Sequence, residues 1–196
     1  MANYTFGSKS GNLGNGVLTQ NDHEAIKTDY DAHGMRRTVE ALLITHLHGH
    51  PHVLILKTAA STRFQFPGGV LKPGESEQQG LKRILDALFH AEADADAESV
   101  AQESMTWTVG ECVSNWWRPN FDANMYPYLP PHVSDPKEHR KLYLVSLPEK
   151  LEFTVPNGQE LVAIPLFDLY QHKSKFGNQI AAVPYYLSGN DFVYND

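Results

Sequence analysis

The feature that most constrains this chain is a loop followed by an amphipathic helix in residues 69–89, which read GVLKPGESEQQGLKRILDALF. The Pro73-Gly74 pair predicts a turn. Glu75 and Glu77 follow it and suit the positive end of a helix dipole. Apolar residues then recur at i, i+3, i+4, i+7 and i+8: Leu81, Ile84, Leu85, Leu88 and Phe89. This spacing predicts one helix that buries a continuous apolar stripe in a core.

The same segment has the spacing of a Nudix box, in which glycine, glutamate and arginine stand at fixed distances before a Glu-Glu pair. Four positions are in register: Gly69, Glu75, Arg83 and Leu85. Three expected glutamates are replaced: Ile84, Ala87 and Leu88 stand there. His90 replaces the final glycine. Nudix hydrolysis needs divalent cations held by clustered carboxylates, so the sequence predicts a Nudix element without catalytic residues and without a metal.

Two alternatives accompany this interpretation of the box. The first is an ordinary core helix that matches a short degenerate pattern by chance. The second is a degenerate Nudix hydrolase of dinucleoside polyphosphates that uses the remaining carboxylates, Glu75, Glu77 and Asp86.

Length, composition and charge narrow the class of protein. A chain of 196 residues suits one large domain with a sizeable core. Its apolar fraction is 41%, and no apolar run approaches the ~20 residues of a membrane span. Cys112 is the only cysteine, so no internal disulfide is possible. The net charge of −7 argues against a protein that binds nucleic acid mainly through the phosphate backbone.

Hydrophobic patterns and turn residues predict a mixed order of strands and helices. Strands are expected at residues 38–47, 52–57, 63–66, 105–113, 141–146 and 161–166. Helices are expected at residues 22–30, in the box, and near residues 167–172 and 180–187. Because strands and helices do not alternate strictly, we expect an α/β/α sandwich with a mixed sheet.

No domain boundary is evident, so residues 1–196 are predicted to form a single Nudix-like domain. Residues 1–33 would form an N-terminal arm. Residues 91–104 are rich in alanine and acidic residues without a hydrophobic period, which predicts a solvated surface insertion.

Four histidines alternate along the predicted hairpin: His46, His48, His50 and His52. A metal site is one interpretation. The series crosses a turn without neighbouring cysteine or aspartate, however, which favours a solvated hairpin tip over a closed four-ligand site.

The most specific segments outside the box are aromatic strings, which composition alone assigns to a long ordered loop. They read NWWRPNF at 115–121, YPY at 126–128 and PKEH at 136–139. Together with NYTFG at 3–7, GMRRTVE at 34–40, PGG at 67–69 and GLKR at 80–83, they occur in the order found in one family. The chain resembles the small subunit of cleavage factor I of pre-mRNA 3′-end processing over nearly its whole length.

This resemblance implies a Nudix fold without hydrolase activity and without a cofactor. It also implies a nuclear homodimer that binds single-stranded pre-mRNA at UGUA-type elements and recruits a larger subunit with an RRM domain. Sequence-specific RNA recognition of this kind uses aromatic stacking and base-edge hydrogen bonds, and therefore does not require a basic protein.

The resemblance also assigns RNA-binding residues to this chain. They are Glu40, Thr62, Arg63, Phe64, Phe66, Phe176 and Gly177. Phe64 matches a stacking aromatic of the family, and Phe176 replaces a tyrosine. Glu40 matches a carboxylate that accepts hydrogen bonds from a base.

Other features leave alternatives to these assignments. Gly14 and Asp22 stand where the family has a glutamate and an arginine that read bases, which weakens the prediction of a UGUA preference and leaves a pure dimeric scaffold as an alternative. Phe64 and Phe66 are both candidates for the core. Phe176 lies among polar residues and is expected to be exposed. The basic run at residues 137–141 fits a solvated turn as well as a phosphate contact.

Overall fold

The computed structural model describes residues 4–9, 22–58, 63–89, 107–147, 151–156 and 158–190. Strands in this part of the chain are β1 (Tyr4–Lys9), β2 (Arg36–Leu47), β3 (His50–Thr58), β4 (Phe64–Gln65), β5 (Gly68–Val70), β6 (Thr108–Arg118), β7 (Glu138–Ser146), β8 (Leu151–Pro156) and β9 (Gln159–Pro165). Its helices are α1 (Asp22–His33), α2 (Glu77–Phe89), α3 (Leu166–Gln171), α4 (Lys173–Phe176), α5 (Asn178–Ala181) and α6 (Val183–Tyr186).

Seven strands form one mixed sheet centred on β2. Along the sheet the order is β4-β3-β2-β7-β6, with β5 paired to β2 and β9 paired to β3. The β2–β7 pair is parallel, and the other pairs in this sheet are antiparallel. A second, two-stranded parallel sheet joins β1 to β8.

Helices cover both faces of the large sheet because side chains alternate along its strands. Val39, Ala41 and Leu43 of β2 enter the core cluster that contains the apolar stripe of α2. Leu42 enters the opposite cluster, to which α3–α6 contribute. The predicted α/β/α sandwich with a mixed sheet is therefore confirmed.

The predicted helix stripe is confirmed residue by residue. In α2 the buried side chains are those of Leu81, Ile84, Leu85, Leu88 and Phe89. The predicted α1 is also present and ends before Gly34, whose amide donates to the Tyr30 carbonyl at 2.8 Å and whose φ is 78°. A positive φ favours glycine, which explains this helix stop.

Two expectations about local structure are wrong, and a third is only partly right. Residues 115–118, assigned to a loop, form the end of β6, where they pair with β7. The basic run at 137–141 lies mostly in β7, so the solvated-turn interpretation is wrong, whereas the phosphate contact stays a prediction. Its side chains are engaged: Lys137 lies over the Tyr30 ring, His139 stacks on Trp117, Arg140 pairs with Glu40 and Glu138, and Lys141 pairs with Glu77. The predicted helix at 180–187 consists of the end of α5 and the separate short helix α6.

The hairpin of β2 and β3 turns at His48 and Gly49, both with positive φ. His52 is buried, with Nδ1 2.9 Å from the His50 carbonyl oxygen, whereas His46, His48 and His50 are exposed. Within the described residues, no three histidine, cysteine, aspartate or glutamate side chains are grouped to hold a metal ion.

No helix in the same residues is long and apolar enough to cross a membrane.

The predicted insertion at 91–104 lies outside the described residues, as does most of the predicted arm before Asp22. The assignment of residues 1–196 to one domain remains a prediction.

Candidate functional site

The remaining carboxylates of the box are held by protein donors. Glu75 receives hydrogen bonds from Arg83 Nε at 2.7 Å, Arg83 Nη2 at 2.8 Å and the Lys72 amide at 2.9 Å. These bonds lower the pKa of Glu75 to about 2. The carboxylate is ionised at neutral pH, but its charge is already balanced by Arg83.

Glu77, at the start of α2, is bound in the same way. Lys141 Nζ lies 2.8 Å from Glu77 Oε1, Arg37 Nη2 lies 3.3 Å from the same oxygen, and the Tyr143 hydroxyl donates to Oε2. Burial raises the pKa of Glu77, but hydrogen bonds from Lys141 and Tyr143 outweigh it and bring the value to about 2. Burial and the Glu77 carboxylate raise the pKa of Tyr143.

Asp86, the third remaining carboxylate, accepts a hydrogen bond from Trp107 Nε1 at 2.7 Å. Two of the three positions that would carry catalytic glutamates are in the core, with Ile84 8% and Leu88 5% exposed. Oxygen ligands cluster around hard cations in metal-dependent hydrolysis. Here the three carboxylates bind separate donors and the intervening face is apolar.

An open groove lies on the opposite side of the sheet, near the ends of β3 and β9. Its volume is about 430 Å³. The lining residues are Lys57, Phe64, Glu160, Val162, Ala163, Ile164, Pro165, Asp168, Lys175 and Phe176. The aromatic part of this groove is therefore formed by two side chains far apart in sequence.

The Phe64 and Phe176 rings meet edge to face, with centroids 4.9 Å apart and planes inclined at 67°. Phe64 is half-buried, whereas Phe176 is only 5% exposed. Edge-to-face contact of this kind stabilises aromatic pairs. Phe176 therefore acts as a buried support, and Phe64 presents the more accessible ring to the groove.

A buried ion network joins β2, β6 and β7. Glu138 is 1% exposed and binds Arg118 Nε at 2.9 Å, Arg140 Nη2 at 3.0 Å and the Thr38 hydroxyl at 2.8 Å. Burial raises the pKa of Glu138, but the charges of Arg140 and Arg118 outweigh this effect and bring the pKa to about 2. Glu138 is thus an ionised group at the centre of the network.

Glu40 belongs to the same network. It is 7% exposed, and its Oε1 lies 3.1 Å from Arg140 Nη1, which also donates to Gln179 Oε1 at 3.3 Å. Burial raises the pKa of Glu40, while Arg140 opposes the shift. Gly68 of β5 passes so close that a Cβ there would lie 2.7 Å from the Glu40 Cα. Glu40 is therefore a packed, partnered carboxylate.

Curated relatives match this chain over most of its length. A protein named pre-mRNA cleavage factor Im 25 kDa subunit 2, from Arabidopsis thaliana, is 43% identical over 188 residues, which cover 96% of this chain and 90% of that protein. Cleavage and polyadenylation specificity factor subunit 5 of Dictyostelium discoideum is 40% identical over 169 residues, covering 86% and 80%. This chain belongs to the cleavage factor Im 25 kDa subunit family.

The chain has a Nudix fold. The profile of the NUDIX_2 family, described as nucleotide hydrolase, matches residues 1–189. A Nudix hydrolase from M. smegmatis superposes with a TM-score of 0.52 at 13% identity, covering 81% of this chain and 89% of that structure. A NUDIX hydrolase from Nitrosomonas europaea gives 0.51 at 11% identity, covering 81% and 92%. At such low identities the likeness concerns the fold alone.

The predicted RNA-binding residues of this family member fall into separate environments. Phe64 and Phe176 meet in the groove, and Gly177 follows directly with a φ of 82°, which lets the chain turn between α4 and α5. Arg63 is exposed beside Phe64. Phe66 is 5% exposed in the core with Leu42 and Phe176. Thr62 lies outside the described residues.

One expectation about these side chains is corrected. Phe176 is expected from its polar sequence neighbours to be exposed, yet its ring is only 5% exposed and packs in the core. Glu40 pairs with Arg140 and is 7% exposed, and its role in binding a base stays a prediction. The core alternative is correct for Phe66 and only partly correct for Phe64.

Sequence reasoning missed the ion network and the cations of the groove. Arg118 and Glu138 come from the NWWRPNF and PKEH strings, which were noted for the resemblance, and Arg140 comes from the basic run at 137–141. Nothing in the sequence marks Lys57 as a residue of the groove. For Lys175 the one indication is its position directly before Phe176. Only the antiparallel pairing of β3 with β9 and the turn at Gly177 bring these residues to one surface.

Proposed function

We propose that this protein is a non-catalytic, single-stranded-RNA-binding and assembly subunit of the nuclear mRNA 3′-end cleavage and polyadenylation machinery. It acts as a homodimer, recognises UGUA-type elements in pre-mRNA and holds a larger subunit with an RRM domain. Support comes from membership in a family whose members are named as subunits of cleavage factor Im.

The observation that carries the proposal is the aromatic groove. Phe64 presents a half-buried ring supported by Phe176, beside an exposed Arg63. Single-stranded RNA binds to such surfaces because an unstacked base gains ~1–3 kcal/mol on an aromatic plane. This gain does not depend on a positive net charge, so it is compatible with the charge of −7.

Replacing Phe64 by leucine is expected to weaken RNA binding by about 5- to 150-fold, because leucine keeps most of the apolar volume but removes the stacking plane. The measurement is fluorescence anisotropy with a labelled single-stranded RNA containing UGUA and with a scrambled RNA of equal length. The matched control is Phe167→Leu, since Phe167 is 59% exposed on α3 but does not line the groove.

Wild-type protein is expected to bind the UGUA oligonucleotide more tightly than the scrambled one. Equal loss in the Phe64 and Phe167 variants would contradict a stacking role for Phe64. Failure of wild-type protein to bind either RNA would reject the RNA-binding function and favour the scaffold alternative.

The absence of catalysis is tested separately. Purified protein is expected to release no product from dinucleoside polyphosphates in Mg²⁺ or Mn²⁺, because Glu75, Glu77 and Asp86 are bound to Arg83, Lys141 and Trp107. Product formation is measured by ion-exchange chromatography. Hydrolysis that disappears in Glu75→Gln would overturn the non-catalytic assignment, whereas hydrolysis unchanged by this substitution identifies a contaminating enzyme.

A further inference from the structure

Two lysines line the groove, and their surroundings differ. Lys57 Nζ lies 3.2 Å from Glu160 Oε2, so its charge is balanced within the protein. The other acidic residue of the groove, Asp168, lies 2.9 Å from His172 Nδ1. The carboxylates of the groove thus have partners other than Lys175.

Lys175 extends over the aromatic pair. It is exposed on α4, and its Nζ lies 5.5 Å from the Phe64 ring centroid and 4.9 Å from that of Phe176. Among the described residues, no carboxylate forms an ion pair with Lys175. A cation–π contact at an exposed site is weak, so the ammonium group is available to an anionic ligand.

We infer that Lys175 is a phosphate-binding residue of the groove and contacts the backbone of an RNA strand whose base stacks on Phe64. This inference rests on the proposed RNA-binding function. In a nucleotide the base and the phosphate are linked through one sugar, so a cation beside the stacking ring is within reach of the strand's backbone. RNA displaces the ammonium from its position over the rings and provides a stronger, ionic partner.

A phosphate contact has a different signature from a base contact. It positions the strand but carries no sequence information. It also releases a counterion, which for a single strand makes log K fall with log[salt] by a slope of about 0.7 per phosphate. Lys175 should therefore strengthen binding of UGUA and scrambled RNA by the same factor.

The test is Lys175→Gln, titrated with both labelled RNAs at several salt concentrations. We expect the magnitude of the salt slope to decrease by about 0.7, and the affinity at 0.1 M salt to fall about 5-fold for both sequences. The matched control is Lys173→Gln, which removes the same charge from an exposed residue of the same helix that does not line the groove. Its slope and affinity should remain near those of wild type.

An unchanged slope in Lys175→Gln would overturn the inference even if affinity falls, because that result indicates a purely structural role of the cation–π contact. Equal losses in Lys173→Gln and Lys175→Gln would also overturn it, since they indicate a non-specific charge effect. If Lys175→Gln alone lowers the slope while Phe64→Leu has no effect, the phosphate contact stands and the aromatic platform of the proposed function is wrong.

Discussion

Replacing Leu88 by glutamate should lower the free energy of unfolding by about 3–5 kcal/mol, although it restores a residue that the Nudix box expects. Leu88 is 5% exposed in the core cluster formed with Leu85, Phe89 and Phe153. The substitution removes apolar burial worth ~1.5–3 kcal/mol for a whole side chain. The substitution also places a carboxyl group in the core, where it must either lose its hydration or be protonated at neutral pH. Protonation there destabilises the folded protein by ~1.4 kcal/mol for each unit by which the pKa of the carboxyl group is raised.

Ala87→Glu is the matched control, because residue 87 is the other half of the expected Glu-Glu pair and is exposed. Its effect should stay within about 0.5 kcal/mol, as for most surface substitutions. Urea unfolding followed by tryptophan fluorescence measures both variants. Equal stability of the two would show that the stripe of α2 is not the core face.

Replacing Glu138 by glutamine should also cost about 3–5 kcal/mol, because it leaves a buried charge without its counterion. Glu138 is 1% exposed and binds Arg118, which is 4% exposed. Glutamine has nearly the same shape but no charge, so Arg118 loses its ion-pair partner. The matched control is Glu160→Gln in the solvent-exposed pair with Lys57, where about 0–1 kcal/mol is expected.

The contribution of Glu138 depends on pH with a definite sign. Its pKa is about 2 in the folded protein against an ordinary value of 4.5. Because the folded state favours the ionised form, the contribution is fully present above pH 4.5 and disappears as the pH falls towards 2. The stability difference between wild type and Glu138→Gln should therefore shrink over this interval, and a constant difference would contradict an ionised Glu138.

The sequence predicted elements best where one local pattern dominated. The stripe of α2 was recognised because its apolar residues repeat with one period, and the hairpin of β2 and β3 because two β-branched and leucine-rich runs flank a turn signal. β1, β5 and β8 were missed. β5 has only three residues and begins with two glycines, and β1 and β8 pair in parallel across a long stretch of sequence.

The end of β6 was assigned to a loop because residues 115–118 are polar or aromatic rather than alternating in the usual way. In the structure these residues are held by pairing with β7, and Arg118 is buried because Glu138 is its cross-strand partner. A buried charge is recognisable only with its partner, and the partner lies 20 residues away.

The candidate site was likewise predicted only in part from the sequence. The resemblance selected Phe64, Phe176 and Gly177, which the fold brings together, but it did not predict their exposure. Phe176 has polar neighbours in sequence, yet it is the buried residue of the single-turn helix α4 and packs with sheet residues such as Leu42 and Ile55.

By itself, the sequence determined the amphipathic helix of the box, the loss of the catalytic glutamates and the family of the chain, because these are properties of residue type and spacing. The tertiary structure alone decided how the remaining charges are used. Glu75 pairs with the Arg83 side chain and Glu77 with that of Lys141. Glu40 is buried against Arg140, and Lys175 has no carboxylate partner among the described residues. Coulomb and desolvation energies depend on distance and burial in space, and strand pairing sets both.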